Sequence, residues 1–120
     1  MSTIPPIAVV DDDSSVRRSL GRLLTAAGYP VEAFASAHDF LEWLPDHGAA
    51  CLMLDVNMPV MTGFELQERL AVPVIFITSH DDGATRDRIK KSGAAGHLWK
   101  PFDGEAAVDA IRHATHGRPA

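Results

Sequence analysis

The chain has 120 residues, enough for one domain with a substantial core, and its 46% hydrophobic and 22% charged content is that of a folded protein rather than a disordered one. A formal charge of −5 argues against direct nucleic-acid binding, which cationic contacts to phosphate drive. No apolar stretch approaches membrane-spanning length, Met1 to Pro6 lacks the pattern of a signal peptide, and the single Cys51 cannot form an internal disulfide, so a reduced, cytoplasmic domain is expected.

Ile7-Ala8-Val9-Val10 is a continuous apolar run, as expected of a strand buried on both faces, and it runs into Asp11-Asp12-Asp13. Val16, Leu20, Leu23 and Leu24 then recur at helical spacing, with Ser14 or Asp13 as N-cap and Gly28 as a natural stop. Val31 to Ala35 reads as a second strand, less apolar and therefore at an edge. Ser36 caps a short helix that turns Phe40, Leu41 and Leu44 inward, and Pro45 is expected to help end it. Cys51-Leu52-Met53-Leu54 is a third buried strand. Met58-Pro59 cannot continue it, so the Asp55 carboxylate should emerge where it ends.

A short third helix is expected from Phe64 to Leu70, opened at Gly63, and only Ala71-Val72-Pro73 separates it from the strand Val74-Ile75-Phe76-Ile77, which runs into Thr78-Ser79. The fourth helix, between Asp82 and Ser92, carries Arg86, Arg88, Lys90 and Lys91, and Gly93 closes it. His97-Leu98-Trp99 reads as another buried strand, delivering Lys100-Pro101-Phe102. The last helix, about Glu105 to Thr115, shows Ala107, Ala110, Ile111 and Ala114 on one face.

Strand and helix alternate throughout, which predicts a single α/β domain over 1–120, a parallel sheet with helices on both faces and right-handed crossovers. Functional groups then gather at the carboxyl ends of the strands. Asp11, Asp12 and Asp55 would bring three carboxylates together there, and like charges at a few ångströms cannot all stay ionised without compensation. A hard divalent cation, Mg²⁺, would resolve the conflict with oxygen ligands, and Lys100 would add a fixed positive charge opposite. Such a pair can hold a phosphoryl group moving in line to an acceptor, and Asp55 is best placed to be that acceptor. Singly, the acids read as helix caps, Lys100-Pro101 as a turn and Thr78 as a structural hydroxyl. Their joint occurrence, in order and at strand ends, favours a phosphate and metal site over those plainer readings.

These residues resemble the receiver domain of two-component response regulators, and the resemblance covers nearly the whole chain. Its signature is an acid pair after strand one, here Asp11-Asp12, and an aspartate after strand three with Met-Pro and Gly following, here Asp55, Met58-Pro59 and Gly63. Thr78 and Lys100-Pro101-Phe102 complete it. The stretch Thr78-Ser79-His80-Asp81 is similar to receivers that precede a helix-turn-helix output. The resemblance implies a flavodoxin-like sheet of strand order 2-1-3-4-5. It also implies phosphoryl transfer to Asp55 from a phosphohistidine on a sensor histidine kinase. Asp12 and Asp55 would bind Mg²⁺ directly, the Asn57 backbone carbonyl would be a further ligand, and Asp11 would act through water. Thr78 and Lys100 would grip the phosphoryl group, and the Lys100-Pro101 bond would be cis.

By the same resemblance, phosphorylation draws Thr78 inward and shifts the switch position, His97, biasing the surface of helix four, strand five and helix five toward a partner or an output domain absent from this chain. Tyr or Phe is commoner than His at that position. Trp99 is expected on the opposite side of the strand from His97. The span from Gly63 to Thr78 is shorter than the family norm, which should truncate helix three or the loop after it.

His38, His47, His113 and His116 are scattered without zinc-ligand spacing and read as solvated, whereas His80 could flank the phosphoryl group. The basic fourth helix and the acids Asp103, Glu105 and Asp109 suggest complementary charge and a phosphorylation-dependent homodimer. A signalling switch rather than a turnover enzyme is the leading reading. A Mg²⁺-dependent phosphohydrolase usually needs a second aspartate where Asn57 stands, and acidic strand ends make a poor site for an anionic flavin.

Overall fold

The apolar runs form β1 (Ile7–Val10), β2 (Val31–Phe34), β3 (Cys51–Asp55), β4 (Val74–Thr78) and β5 (Gly96–Trp99), alternating with α1 (Ser14–Ala26), α2 (Ala37–His47), α3 (Gly63–Gln67), α4 (Gly83–Ser92) and α5 (Gly104–His116). The structure, a computed structural model, describes residues 5–56, 63–67, 70–79 and 82–116. All strand pairs are parallel and the order is β2-β1-β3-β4-β5, as expected. No helix among the described residues is long and apolar enough to cross a membrane.

Pleating divides the core into two layers, because successive side chains of a strand point to opposite faces. Ile7, Val9, Cys51, Met53, Ile75, Ile77 and Leu98 pack with Leu20 and Leu24 of α1 and Ala107, Ile111 and Ala114 of α5. Ala8, Val10, Leu52, Leu54, Val74 and Phe76 pack on the other face with Phe40 of α2, Leu66 of α3 and Ile89 of α4. A Cβ on Gly104 would run into Cδ1 of Leu23, so glycine at the start of α5 lets that leucine of α1 keep its place where the two helices meet.

Local chemistry sets most helix ends. Asp13 is the N-cap of α1, accepting from the Ser15 amide at 2.8 Å, and Gly28, with φ 96°, follows the last turn. Ser36 caps α2 by accepting from the Asp39 amide. Asp82 caps α4 through the Thr85 amide, and Gly93 closes it in the left-handed conformation. Asp103 accepts from the Ala106 amide at 2.7 Å, which starts α5 one residue before the expected position.

Three expectations are corrected. Pro45 does not end α2, which runs on to His47. A proline so near the end forfeits only the bond its own amide would have made to the Leu41 carbonyl, while Gly48, with φ 78°, makes the stop and donates to the Leu44 carbonyl. Leu70 is not part of helix α3, and its amide donates to the Gln67 carbonyl at 3.1 Å; residues 68 and 69 lie outside the described residues. Finally, β5 is not buried like β1, β3 and β4: it is the outer strand of the sheet, Leu98 alone is buried, and His97 is exposed.

Candidate functional site

The carboxyl ends of β1, β3, β4 and β5 bring Asp11, Asp12, Asp55, Thr78 and Lys100 to one edge of the sheet. The pleat sorts them. Asp11 follows Val9 by two residues, Asp55 follows Met53, and Lys100 follows Leu98, so all three continue the α1/α5 side. Thr78 follows Phe76 and therefore belongs to the α4 side, paired across the ladder with Trp99.

Asp11 is fully buried, and three of its four polar atoms are hydrogen-bonded. Its amide donates to the Phe34 carbonyl of β2 at 3.2 Å, and its Oδ1 accepts from the Asp13 amide at 2.9 Å. Its backbone carbonyl accepts from Nη1 of Arg17 at 2.9 Å. The fourth atom, Oδ2, faces the Lys100 ammonium at 3.0 Å as an ion pair, without the alignment of a directed hydrogen bond. The same ammonium lies 3.9 Å from Oδ2 of Asp55.

Asp55 is buried and Asp12 exposed, and carboxylate oxygens of Asp11, Asp12 and Asp55 all lie within 4.8 Å of one another. Desolvation works against the charge on Lys100. The contact with Asp11, reinforced by the charges of Asp55 and Asp13, outweighs it and holds the Lys100 pKa above its ordinary value. Asp13 is held below the usual carboxylate value by hydrogen bonds from the Ser15 hydroxyl and amide. Thr78 is fully buried, and its carbonyl accepts from the Lys100 amide at 2.8 Å, which ties the last residue of β4 to the residue bearing the ammonium. The Lys100-Pro101 bond is cis, as expected.

The expected convergence of Asp11, Asp12 and Asp55 with Lys100 is therefore present. Asn57, Met58, Pro59 and His80 lie outside the described residues. Trp99 requires a correction: it is not across the strand from His97 but on the same side, ring centroids 5.3 Å apart and edge to face. Residues two apart in a strand share a face, and the expectation ignored that period. The Arg86 guanidinium covers Trp99, 5.3 Å from the ring centroid. His47 is exposed but stacked on Trp43, and His38 pairs with Glu42 at 2.8 Å. Sequence reasoning missed Arg17. Its one signal is an arginine in the second turn of the helix that follows an acid pair.

The sequence matches the model of the response regulator receiver domain over residues 7–112. It is 40% identical over 119 residues to nodulation protein W of Bradyrhizobium diazoefficiens, covering 95% of this chain and 52% of that protein. It is 36% identical to the transcriptional regulatory protein FixJ of Rhizobium meliloti, over 91% of this chain and 56% of that protein. The chain thus spans about half the length of the curated relatives it matches. Among solved structures, a response regulator receiver protein from Burkholderia phymatum superposes with a TM-score of 0.82 at 39% identity, over 96% of this chain and 98% of that one.

Proposed function

The chain belongs to the response regulator receiver domain family, and on that premise we propose that Asp55 accepts a phosphoryl group from a phosphohistidine of a sensor histidine kinase in a Mg²⁺-dependent reaction. The observation that carries this reading is the gathering of three carboxylates within 4.8 Å of one another, with the Lys100 ammonium in contact with two of them. Hard carboxylate oxygens suit Mg²⁺, and the buried Oδ2 of Asp11, with no hydrogen-bond donor directed at it, is an oxygen whose charge a cation would offset. Asp12 and Asp55 would hold the ion directly and Asp11 through water, with the Asn57 carbonyl as the family's further ligand. When bound it supplies positive charge against the phosphoryl oxygens.

The acceptor step is an in-line displacement. A carboxylate oxygen of Asp55 forms the new P–O bond as the P–N bond of phosphohistidine breaks, and the departing imidazole keeps the electron pair and takes a proton from solvent. Lys100 offers its ammonium to a phosphoryl oxygen, and Thr78 offers its hydroxyl to another. Hydrolysis of the acyl phosphate by water returns Asp55, so the domain assists both its loading and its clearing without turning over an external substrate.

Phosphorylation then biases the surface of α4, β5 and α5 through Thr78 and His97, and that surface acts on an output domain or protein. A transcriptional output is supported by the FixJ relative, whose name is that of a transcriptional regulator. The charge contrast between Arg88, Lys90 and Lys91 of α4 and Glu105 and Asp109 of α5 supports a phosphorylation-dependent homodimer on this face. Equal sedimentation of the unmodified and beryllofluoride-loaded forms would reject the dimer. For the acceptor, incubation with acetyl phosphate and Mg²⁺ followed by mass analysis should give one phosphoryl adduct on wild type and none on Asp55→Asn or after prior chelation. An adduct on Asp55→Asn of equal yield rejects the assignment.

A further inference from the structure

Arg17 is the one cation besides Lys100 that touches Asp11 among the described residues, and it touches the backbone rather than the carboxylate. The Asp11 carbonyl lies past the end of β1, where no neighbouring strand supplies a donor, and a buried carbonyl left without one is costly. The guanidinium meets this need from the second turn of α1, with a planar, permanently charged donor group. That carbonyl belongs to the same rigid peptide plane as the Asp12 amide. Fixing one therefore fixes the N–Cα bond of Asp12 and narrows the directions its side chain can take. Asp12 needs such control, because its side chain is exposed while Asp11 and Asp55 are buried.

We infer that Arg17 is a positioning residue, which by gripping the Asp11 carbonyl aims the Asp12 carboxylate into the cation site. The inference rests on the cation-binding reading above and adds to it a residue that touches neither the ion nor the phosphoryl group. It also has a sign that charge alone would not give. A guanidinium near three carboxylates repels a dication, so on electrostatics alone its removal tightens binding. On positioning, its removal weakens binding.

The test titrates Mn²⁺ alone into metal-free protein and reads the free ion by electron paramagnetic resonance. Arg17→Ala should bind about tenfold more weakly than wild type, the lower end of the effect of removing groups that orient metal ligands. Arg17→Lys, which keeps the charge and a donor but not the planar fork, should fall between the two. In an Asp12→Asn background, Arg17→Ala should weaken the affinity no further, as expected if the two residues act as one unit. Unchanged or tighter binding by Arg17→Ala overturns the inference, as does an undiminished effect in the Asp12→Asn background. If melting in chelator shows Arg17→Ala unfolded, Arg17→Lys decides: weaker binding supports positioning and unchanged binding rejects it. Wild type that binds no Mn²⁺ would instead reject the cation site itself, and the inference with it.

Discussion

Lys100 and Asp11 meet across the sheet, Nζ to Oδ2 at 3.0 Å, although β3 and β4 lie between the strands that carry them. The lysine side chain thus spans the ends of two intervening strands, and 22% of its surface remains exposed against none for Asp11. Asp55, at the end of one of the bridged strands, is the second carboxylate within its reach.

Replacing Lys100 by Met should leave the buried Asp11 carboxylate without its counter-charge. The expected loss in chelator is about 2 kcal/mol, below the value for a fully enclosed pair because the ammonium is partly solvated. Urea unfolding measures it, and added Mg²⁺ should recover part. The pH dependence follows from the raised Lys100 pKa. The folded state holds that proton more tightly than the unfolded chain, so the contribution is complete below the ordinary value of 10.5 and fades as pH climbs through the folded value. Lys100→Met should lack that alkaline component.

Mg²⁺ should raise the melting temperature of wild type with concentration, by mass action on the folded state. Asp12→Asn removes an exposed carboxylate from the cluster, so its melting temperature in chelator should be equal to or above that of wild type, while the response to Mg²⁺ is weakened. Calorimetry at stepped Mg²⁺ concentrations reads both effects. A variant that retains the full response would remove Asp12 from the ligand set.

Cys51 is wholly enclosed in β3, and burial pushes its thiol up to about 12 from 9.0. It should not react with a soluble disulfide reagent at pH 8 while the protein is folded, and should react fully in denaturant. The linkage sign is destabilising. The unfolded thiol ionises above 9.0 while the folded one keeps its proton to about 12, so stability falls across that window. Cys51→Ala should lose this part of the alkaline decline, which separates it from the Lys100 component.

The end of α2 offers a test away from the site. Since Gly48 holds φ 78° with ψ 155°, a backbone region nearly closed to residues with a Cβ, and Pro45 lies inside the helix, Gly48→Ala should destabilise by about 1–3 kcal/mol. Pro45→Ala should be neutral or stabilising, because it restores a donor to the Leu41 carbonyl. A destabilising Pro45→Ala, read by urea unfolding, would return the role of helix stop to proline.

The strands and the converging acids were legible because both rest on simple periods: continuous apolar runs of strand length, each ending in a polar group. What those runs could not reveal was lateral position. His97-Leu98-Trp99 reads as a buried strand, but its place at the sheet margin leaves His97 in solvent. The side assigned to Trp99 was a misreading of information already present, since the two-residue period puts it beside His97. Pro45 misled because proline interrupts a helix in proportion to the bonds that remain beyond it, and near the last turn few remain. Arg17 was invisible for a different reason: its partner is a backbone carbonyl, which has no letter in a sequence.

The alternation of faces along each strand has a consequence for how this chain can change in length. Deleting one residue from within β3 would carry the Asp55 carboxylate to the α4 side and leave Lys100 facing a hydrocarbon. The strands therefore behave like a reading frame, in which a shift of two preserves parity but a shift of one exchanges the two layers. Insertions and losses should therefore be tolerated in the connections, where loop length can change while the sheet stays in step.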